Sequence, residues 1–129
     1  MSIFKNEFIT IFKEESHIPW LKIFTTVPYR ELTDCPAELR EMLYRTTEIV
    51  EEQMRGYYHP VKINIAMFGN YVPHLHIHIM ARFENDAFFP ESMWGKKQRE
   101  PSLLLPDEKL FFEKLIKELE NSFLNNGIM

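Results

Sequence analysis

The fold of this chain is decided by residues 61–82, which read VKINIAMFGNYVPHLHIHIMAR. Apolar and polar residues alternate on both sides of a central turn, and a period of two is typical of a strand with one buried face. In the second half, the face opposite Leu75 and Ile77 carries His74, His76 and His78. Three imidazoles in one row of a strand each need hydrogen-bond partners, so the row calls for a specific explanation.

The two alternating segments predict strands over residues 61–67 and 74–82. The turn between them contains Gly69 and Asn70 and is short enough for an antiparallel hairpin. Asn64 is a polar residue within the first strand. If both apolar faces pack on the core, Asn64 shares the opposite face with the histidines.

The rest of the chain predicts further strands and two helices. Aromatic and β-branched residues predict strands at 8–13 and 20–26, and a 3.6-residue apolar period predicts helices at 37–55 and about 107–124. Gly56 is expected to end the first helix. These elements predict an α+β fold, an antiparallel sheet of four to five strands with two helices.

Composition narrows the classes of protein. A length of 129 residues predicts one domain over 1–129. Lys and Arg number 15 against 19 Asp and Glu, a net charge of −4, which argues against nucleic-acid binding. A single cysteine, Cys35, excludes an intramolecular disulfide. No apolar run is long enough for a signal peptide or a membrane span. A cytoplasmic protein is expected.

Three imidazoles in strict alternation allow three interpretations. Neighbours in the row lie about 6.6 Å apart at Cα, and every ring carries two nitrogens that need partners. They could form a partly exposed polar face. They could supply ligands to a zinc ion. They could also act on a phosphorus centre, with one neutral imidazole as the nucleophile and its neighbours as hydrogen-bond donors.

The stretch GNYVPHLHIHIMAR, residues 69–82, resembles the signature of the histidine triad (HIT) family, in which three histidines alternate with apolar residues. The similarity extends over roughly residues 8–95, through IPWLKIF at 18–24 and the segment from 63 to MWG at 93–95. This order of segments is similar to a bacterial branch of the family. The resemblance implies a HIT-like fold and a homodimer.

The resemblance also implies a reaction. HIT enzymes cleave nucleoside phosphoramidates or dinucleoside polyphosphates at the α-phosphate and release a nucleoside monophosphate. By this resemblance His76 is the nucleophile and forms a nucleotidyl-histidine intermediate, His78 orients His76, and His74 supports the row. No cofactor is obligatory, although a divalent cation could accompany a polyphosphate substrate.

Binding residues follow from the same resemblance. Asn64 and Asn70 match positions where amide side chains contact phosphate oxygens, and Gly69 lets the backbone approach the phosphate closely. Glu14 or Glu15 is a candidate for the ribose hydroxyls, against the alternative of a solvated acidic loop.

The sequence departs from the family pattern at three positions. A fourth histidine common in the family is replaced by Leu21, a frequent hydroxyl residue by Tyr71 and a usual glutamine by Asn70. These changes bear on protonation of the leaving group. They suggest one alternative function, a nucleotide-binding module with weak or lost catalysis. The spacing of the histidines leaves open a second alternative, a histidine-rich metal-binding protein.

The segment 84–102 is long, polar and aromatic, and such connections are usually functional or mobile. Trp94 could border the leaving-group side of the site or cap the core. The basic residues Lys96, Lys97 and Arg99 could meet further phosphates or form a solvated loop. His17 and His59 are expected to be surface or loop-packing residues.

Overall fold

The computed structural model describes residues 2–125, the last by its backbone alone. One antiparallel sheet has the strand order β1-β2-β3-β5-β4. Its strands are β1 (Ser2–Lys5), β2 (Ile9–Lys13), β3 (Trp20–Thr25), β4 (Lys62–Phe68) and β5 (His76–Arg82). Helices α1 (Ala37–Tyr58) and α2 (Glu108–Asn125) complete the fold, with a short 3-10 turn at Leu32–Asp34. The predicted α+β class is therefore confirmed.

The core lies between the sheet and the two helices. Alternate residues of the central strands are buried there, among them Ile11, Leu21, Ile23 and Ile79. Helix α1 packs on β3 and β5, and α2 packs on α1 and β1. Because side chains alternate along a strand, burial of these residues turns their neighbours to the other face of the sheet.

Strand register decides what meets on that other face. Phe24 of β3 and Phe68 of β4 pair with His76 from opposite sides. Lys22 pairs with His78, and the intervening Leu21 pairs with Ile79 on the core face. Strands β3, β4 and β5 thus place aromatic and charged side chains around the histidines.

One strand and the end of one helix differ from the sequence-based predictions. The N-terminal strand β1 was not predicted. The expected end of the first helix at Gly56 is wrong, because α1 continues to Tyr58 and His59 caps it in the left-handed conformation, at φ 52°. Tyr58 is buried, with its ring 5.0 Å from that of Phe111 on α2. This packing outweighs the modest helix propensity of glycine.

The segment that follows β5 is irregular yet firmly attached. Arg82 and Asp86 form a buried ion pair, with Arg82 Nε 2.9 Å from Asp86 Oδ2. The Arg82 guanidinium also donates to the Glu91 carbonyl at 2.7 Å. Asp86 accepts the backbone N–H groups of Phe83 and Phe88 as well. These bonds fix the path of the chain towards Trp94.

Neither of the helices described within residues 2–125 has the length and apolar character needed to cross a membrane.

Candidate active site

The three histidines gather at the start of β5. His76 and His78 belong to the strand and His74 lies just before it. His78 is buried, and His74 and His76 are half-buried. The predicted common face is confirmed for His76 and His78, since both pair with residues whose side chains point away from the helices.

A chain of hydrogen bonds fixes the protons of two imidazoles. The indole Nε1 of Trp20 lies 2.9 Å from Nδ1 of His78. An indole N–H only donates, so Nδ1 of His78 is the acceptor and neutral His78 carries its proton on Nε2. That nitrogen lies 3.0 Å from Nε2 of His76, to which it donates.

The same hydrogen bonds fix the tautomer of His76. Its Nε2 accepts from His78, so its own proton sits on Nδ1, which lies 3.0 Å from the His74 carbonyl oxygen and donates to it. His74 donates in turn through Nε2 to the Thr25 carbonyl at 2.7 Å. The Nε2 lone pair of His76 is thus occupied by the His78 N–H, and this bond must move aside before Nε2 can contact a ligand.

Aromatic rings enclose the histidines. Phe24 stacks on His76, with ring centroids 4.6 Å apart and planes 21° apart. Trp94 makes edge contacts with His78 at 5.0 Å and with Phe68 at 4.9 Å. These rings form one side of the site.

A cavity of about 580 Å³ opens over the histidines. Its lining is mostly apolar and combines all three histidines with the turn that precedes them: Lys22, Phe24, Phe68, Gly69, Asn70, Tyr71, Val72, His74, His76, His78 and Trp94. Within this lining, Lys22 supplies the permanent positive charge. The cavity is large enough for a small organic ligand with one anionic group near Lys22.

Burial lowers the pKa of His78 to about 4, and the nearby His76 and Lys22 act in the same direction. Glu14 opposes the shift and does not outweigh it. At neutral pH His78 is therefore uncharged, which agrees with its place between an N–H donor and a second imidazole.

The free energy of unfolding should fall as the pH decreases from 6.5 to about 4. In that range the unfolded His78 binds a proton and the folded His78 does not, so the slope contributed by this residue is at most about 1.4 kcal/mol per pH unit. Urea unfolding of the wild type and His78→Gln at several pH values measures it. We expect a shallower slope for the variant, and equal slopes would contradict the assignment. His17, whose pKa is also lowered by burial, contributes equally to both proteins.

Two predicted binding residues, Gly69 and Asn70, do line the cavity. Asn64 lies on the histidine face, opposite Met80, and its side-chain oxygen accepts from Nη1 of Arg82 at 2.7 Å. Asn64 is not part of the cavity lining. Its role as a phosphate contact stays a prediction.

The two acidic residues predicted to contact the ribose lie outside the cavity lining. Glu14 is ion-paired with Lys22 at 2.8 Å and is outside the cavity lining. Glu15 lies 3.5 Å from Lys13 and its side chain is largely exposed. A contact of either carboxylate with ribose stays a prediction.

The residues singled out in the segment after β5 have different surroundings. Trp94 borders the cavity and does not cap the core. Lys97 pairs with Glu100 at the surface, and Arg99 donates to the Asp86 carbonyl. Of the other histidines, His17 accepts the backbone N–H of Ala87, a loop-packing role as predicted.

Sequence reasoning missed the contribution of β3 to the site. Trp20, Lys22 and Phe24 alternate with the apolar residues Leu21 and Ile23. That alternation was a signal that the three side chains share one face, because the two apolar residues belong in the core. The family's fourth histidine falls at Leu21, which is buried on the core face, and Trp20 makes the contact to His78 instead.

Within residues 2–125, no group of three or more His, Cys, Asp or Glu side chains is arranged to hold a metal ion.

Comparisons with known proteins agree with this architecture. Residues 3–85 match the HIT domain. Among solved structures, a histidine triad protein from Bradyrhizobium japonicum is 27% identical, with 94% of this chain and 88% of that one covered at a TM-score of 0.72. One from Sinorhizobium meliloti is 26% identical, with 91% and 87% covered at a TM-score of 0.73. A third, from Marinobacter aquaeolei, is 24% identical, with 92% and 90% covered at 0.76.

The search of curated proteins returned no match. The HIT match covers well over half of the chain, and strands β2 to β5 and the three histidines lie within it. The chain belongs to the histidine triad family.

Proposed function

We propose that this protein is a nucleotide hydrolase or transferase. It cleaves a nucleoside phosphoramidate or a dinucleoside polyphosphate at the α-phosphate and releases a nucleoside monophosphate. The observation that carries the proposal is the proton arrangement at His76, which lines the cavity: its Nδ1–H is held by the His74 carbonyl, and its unprotonated Nε2 accepts from His78. A neutral imidazole so oriented is a competent nucleophile near pH 7.

The first step forms a bond between Nε2 of His76 and the α-phosphorus. The bond from phosphorus to the leaving group breaks, and its electron pair departs with that group. The modified ring carries a positive charge, which the His74 carbonyl stabilises through the Nδ1–H bond. In the second step water attacks the phosphorus, the electron pair of the P–N bond returns to Nε2, and a proton goes to solvent.

Charge on the phosphate oxygens requires donors. The Nε2–H of His78 is the nearest donor once it swings from His76 to the incoming phosphate. The Lys22 ammonium lines the same cavity, as do the turn residues Gly69 and Asn70. These local groups supply the attraction that the net charge of −4 does not.

The test is to trap the intermediate. The full chain is mixed with adenosine and guanosine phosphoramidates and dinucleoside polyphosphates, with and without Mg²⁺, and quenched with alkali, since phosphorus-linked histidine is labile to acid. Mass spectrometry should find a nucleotidyl group on the peptide that contains His76, together with released nucleoside monophosphate. Binding of nucleotide with no adduct and no release would reassign the protein as a nucleotide-binding module. Activity that disappears on chelation and returns with metal would point to an essential ion.

We also propose a homodimer formed along the free edge of β4. This strand ends the sheet, and its core-side residues Ile65 and Met67 are 49% and 43% exposed. An exposed edge strand with apolar side chains is a template for pairing with another chain, and a second copy offers the same edge in antiparallel order.

Ile65→Lys should therefore shift the protein towards the monomer. A charge at this position disfavours pairing of two edges at the same site. Sedimentation velocity over a range of concentrations measures the shift, with Leu104→Lys as the matched control, since Leu104 is a fully exposed apolar residue in the segment before α2 and not on β4. An unchanged sedimentation coefficient for Ile65→Lys would contradict this interface.

A further inference from the structure

We infer that Trp20 restricts this site to leaving groups that depart as stable anions, such as phosphate chains or acidic aryl oxides, and disfavours amines. This inference rests on the proposed function and narrows its substrate class. It starts from the bond between the Trp20 indole and Nδ1 of His78.

That bond closes one side of His78 to protons. The indole N–H can only donate, so Nδ1 keeps its lone pair as long as the bond is intact. His78 is buried, and Trp94 and Phe68 pack against its ring by their edges. Solvent therefore has little access to Nδ1, and a second proton enters only if the indole moves.

The groups that face His78 favour its neutral form. Lys22 of β3 lies opposite it, and His76 adjoins it on β5. Glu14, which follows β2, is the acidic group nearby, and its carboxylate is bound to Lys22. From β4 and the 83–102 segment the neighbours are the uncharged rings of Phe68 and Trp94. Burial, together with the neighbouring His76 and Lys22, lowers the pKa of His78 to about 4.

Neutral His78 can donate a hydrogen bond but not a proton. Its single N–H proton sits on Nε2, and its loss would leave an imidazolate in a buried site. A histidine with an open Nδ1 could instead be doubly protonated and act as a general acid. Trp20 thus makes His78 a fixed donor.

The consequence differs between leaving groups. When His76 attacks an anhydride or an aryl ester, the P–O bond breaks and the oxygen departs with the electron pair as a stable anion, so no proton is needed. When it attacks a phosphoramidate, the P–N bond breaks and the nitrogen must receive a proton as it leaves. His78 does not provide that proton.

Other proton sources are poorly placed. Leu21, at the position of the family's fourth histidine, is buried on the core face. Tyr71 also lines the cavity, but its side chain is fully exposed to solvent. Lys22 lines the cavity, and its ammonium is bound by Glu14 at 2.8 Å. The amine would then depend on solvent for its proton.

The experiment compares leaving groups on one nucleotide. Release of adenosine and guanosine monophosphate is measured from matched p-nitrophenyl esters, dinucleoside polyphosphates and alkyl phosphoramidates, using the full chain. We expect kcat/KM for the ester and anhydride to exceed that for the amine by at least about 100-fold, with an amine rate that rises as the pH falls. In Trp20→Phe the ratio should narrow at least tenfold, because Nδ1 of His78 becomes open to a second proton.

Trp94→Phe is the matched control. It replaces the other indole that contacts the His78 ring without removing the bond to Nδ1, so the ratio between leaving groups should stay as in the wild type. A ratio that narrows equally in both variants would overturn the role of Trp20. The role of Trp20 would also be overturned if Lys22→Met lost the high-pH part of the pH–rate profile for the amine substrate, because Lys22 would then be the proton source.

The wild-type protein gives a test that does not depend on the variant folding. Long-range ¹H–¹⁵N spectra should show His78 with an unprotonated Nδ1 and a protonated Nε2 from pH 8 down to about pH 5. A doubly protonated His78 at pH 6 would overturn the inference. Equal turnover of amine and ester would overturn it too and leave the proposed function intact, whereas absence of product and of His76 adduct with every substrate would instead remove the proposed function.

Discussion

His76→Ala should abolish turnover and leave nucleoside monophosphate binding nearly unchanged. The substitution removes the imidazole that carries the proposed nucleophile, Nε2, and with it the covalent step. Loss of a nucleophile that works together with its neighbours lowers kcat by roughly 10⁴-fold or more. The other cavity walls, including Phe24 and Lys22, stay in place, so binding persists.

The measurement pairs steady-state product release with calorimetric binding of nucleoside monophosphate. His59→Asn is the matched control, because His59 is exposed and does not line the cavity. Asparagine also tolerates its left-handed conformation. We expect wild-type turnover in the control. Turnover that survives in His76→Ala would sink the assignment of the nucleophile.

Asp86→Asn should produce the largest loss of stability among single polar substitutions in the site region. The change is nearly isosteric, but it leaves the buried Arg82 guanidinium without its carboxylate. Breaking a buried ion pair by removing one partner costs about 3–5 kcal/mol. For a chain of this size the melting temperature should fall by roughly 10–20 °C.

Burial opposes ionisation of Asp86, and the bonds from Arg82, Phe83, Phe88 and Phe89 outweigh it, so its pKa lies well below the ordinary value. Its stabilising contribution is therefore complete at neutral pH and is lost only in strong acid. Urea unfolding at pH 7 measures the loss. Lys97→Met, which breaks the exposed pair with Glu100, is the control and should cost under about 1 kcal/mol.

If both variants lose equally little stability, the Arg82–Asp86 pair does not hold the segment after β5. If Asp86→Asn unfolds as expected, its folded fraction should also show altered fluorescence of Trp94, because the same pair fixes the chain leading to that ring. The Arg82–Asp86 pair would then link the stability of this segment to the position of Trp94, which borders the cavity.

Much of the sheet was predictable because it depends on local alternation. The hairpin of β4 and β5 followed from residues 61–82, and the common face of Asn64 and the histidines followed from the same period. Strand β1 was missed because four residues are too few to establish a period. The end of α1 was misplaced because its last turn depends on Tyr58 packing against α2, a contact between residues distant in sequence.

The sequence by itself determined the histidine row and, through its order of residues, the family of the protein. The tertiary structure alone decided which neighbours the row has. β3 lies beside β5 although 50 residues separate the end of one from the start of the other, and their register brings Trp20 to His78. Alternation assigns a side chain to a face, but only the pairing of strands assigns it a partner. The protons of His78 and His76 follow from that partner.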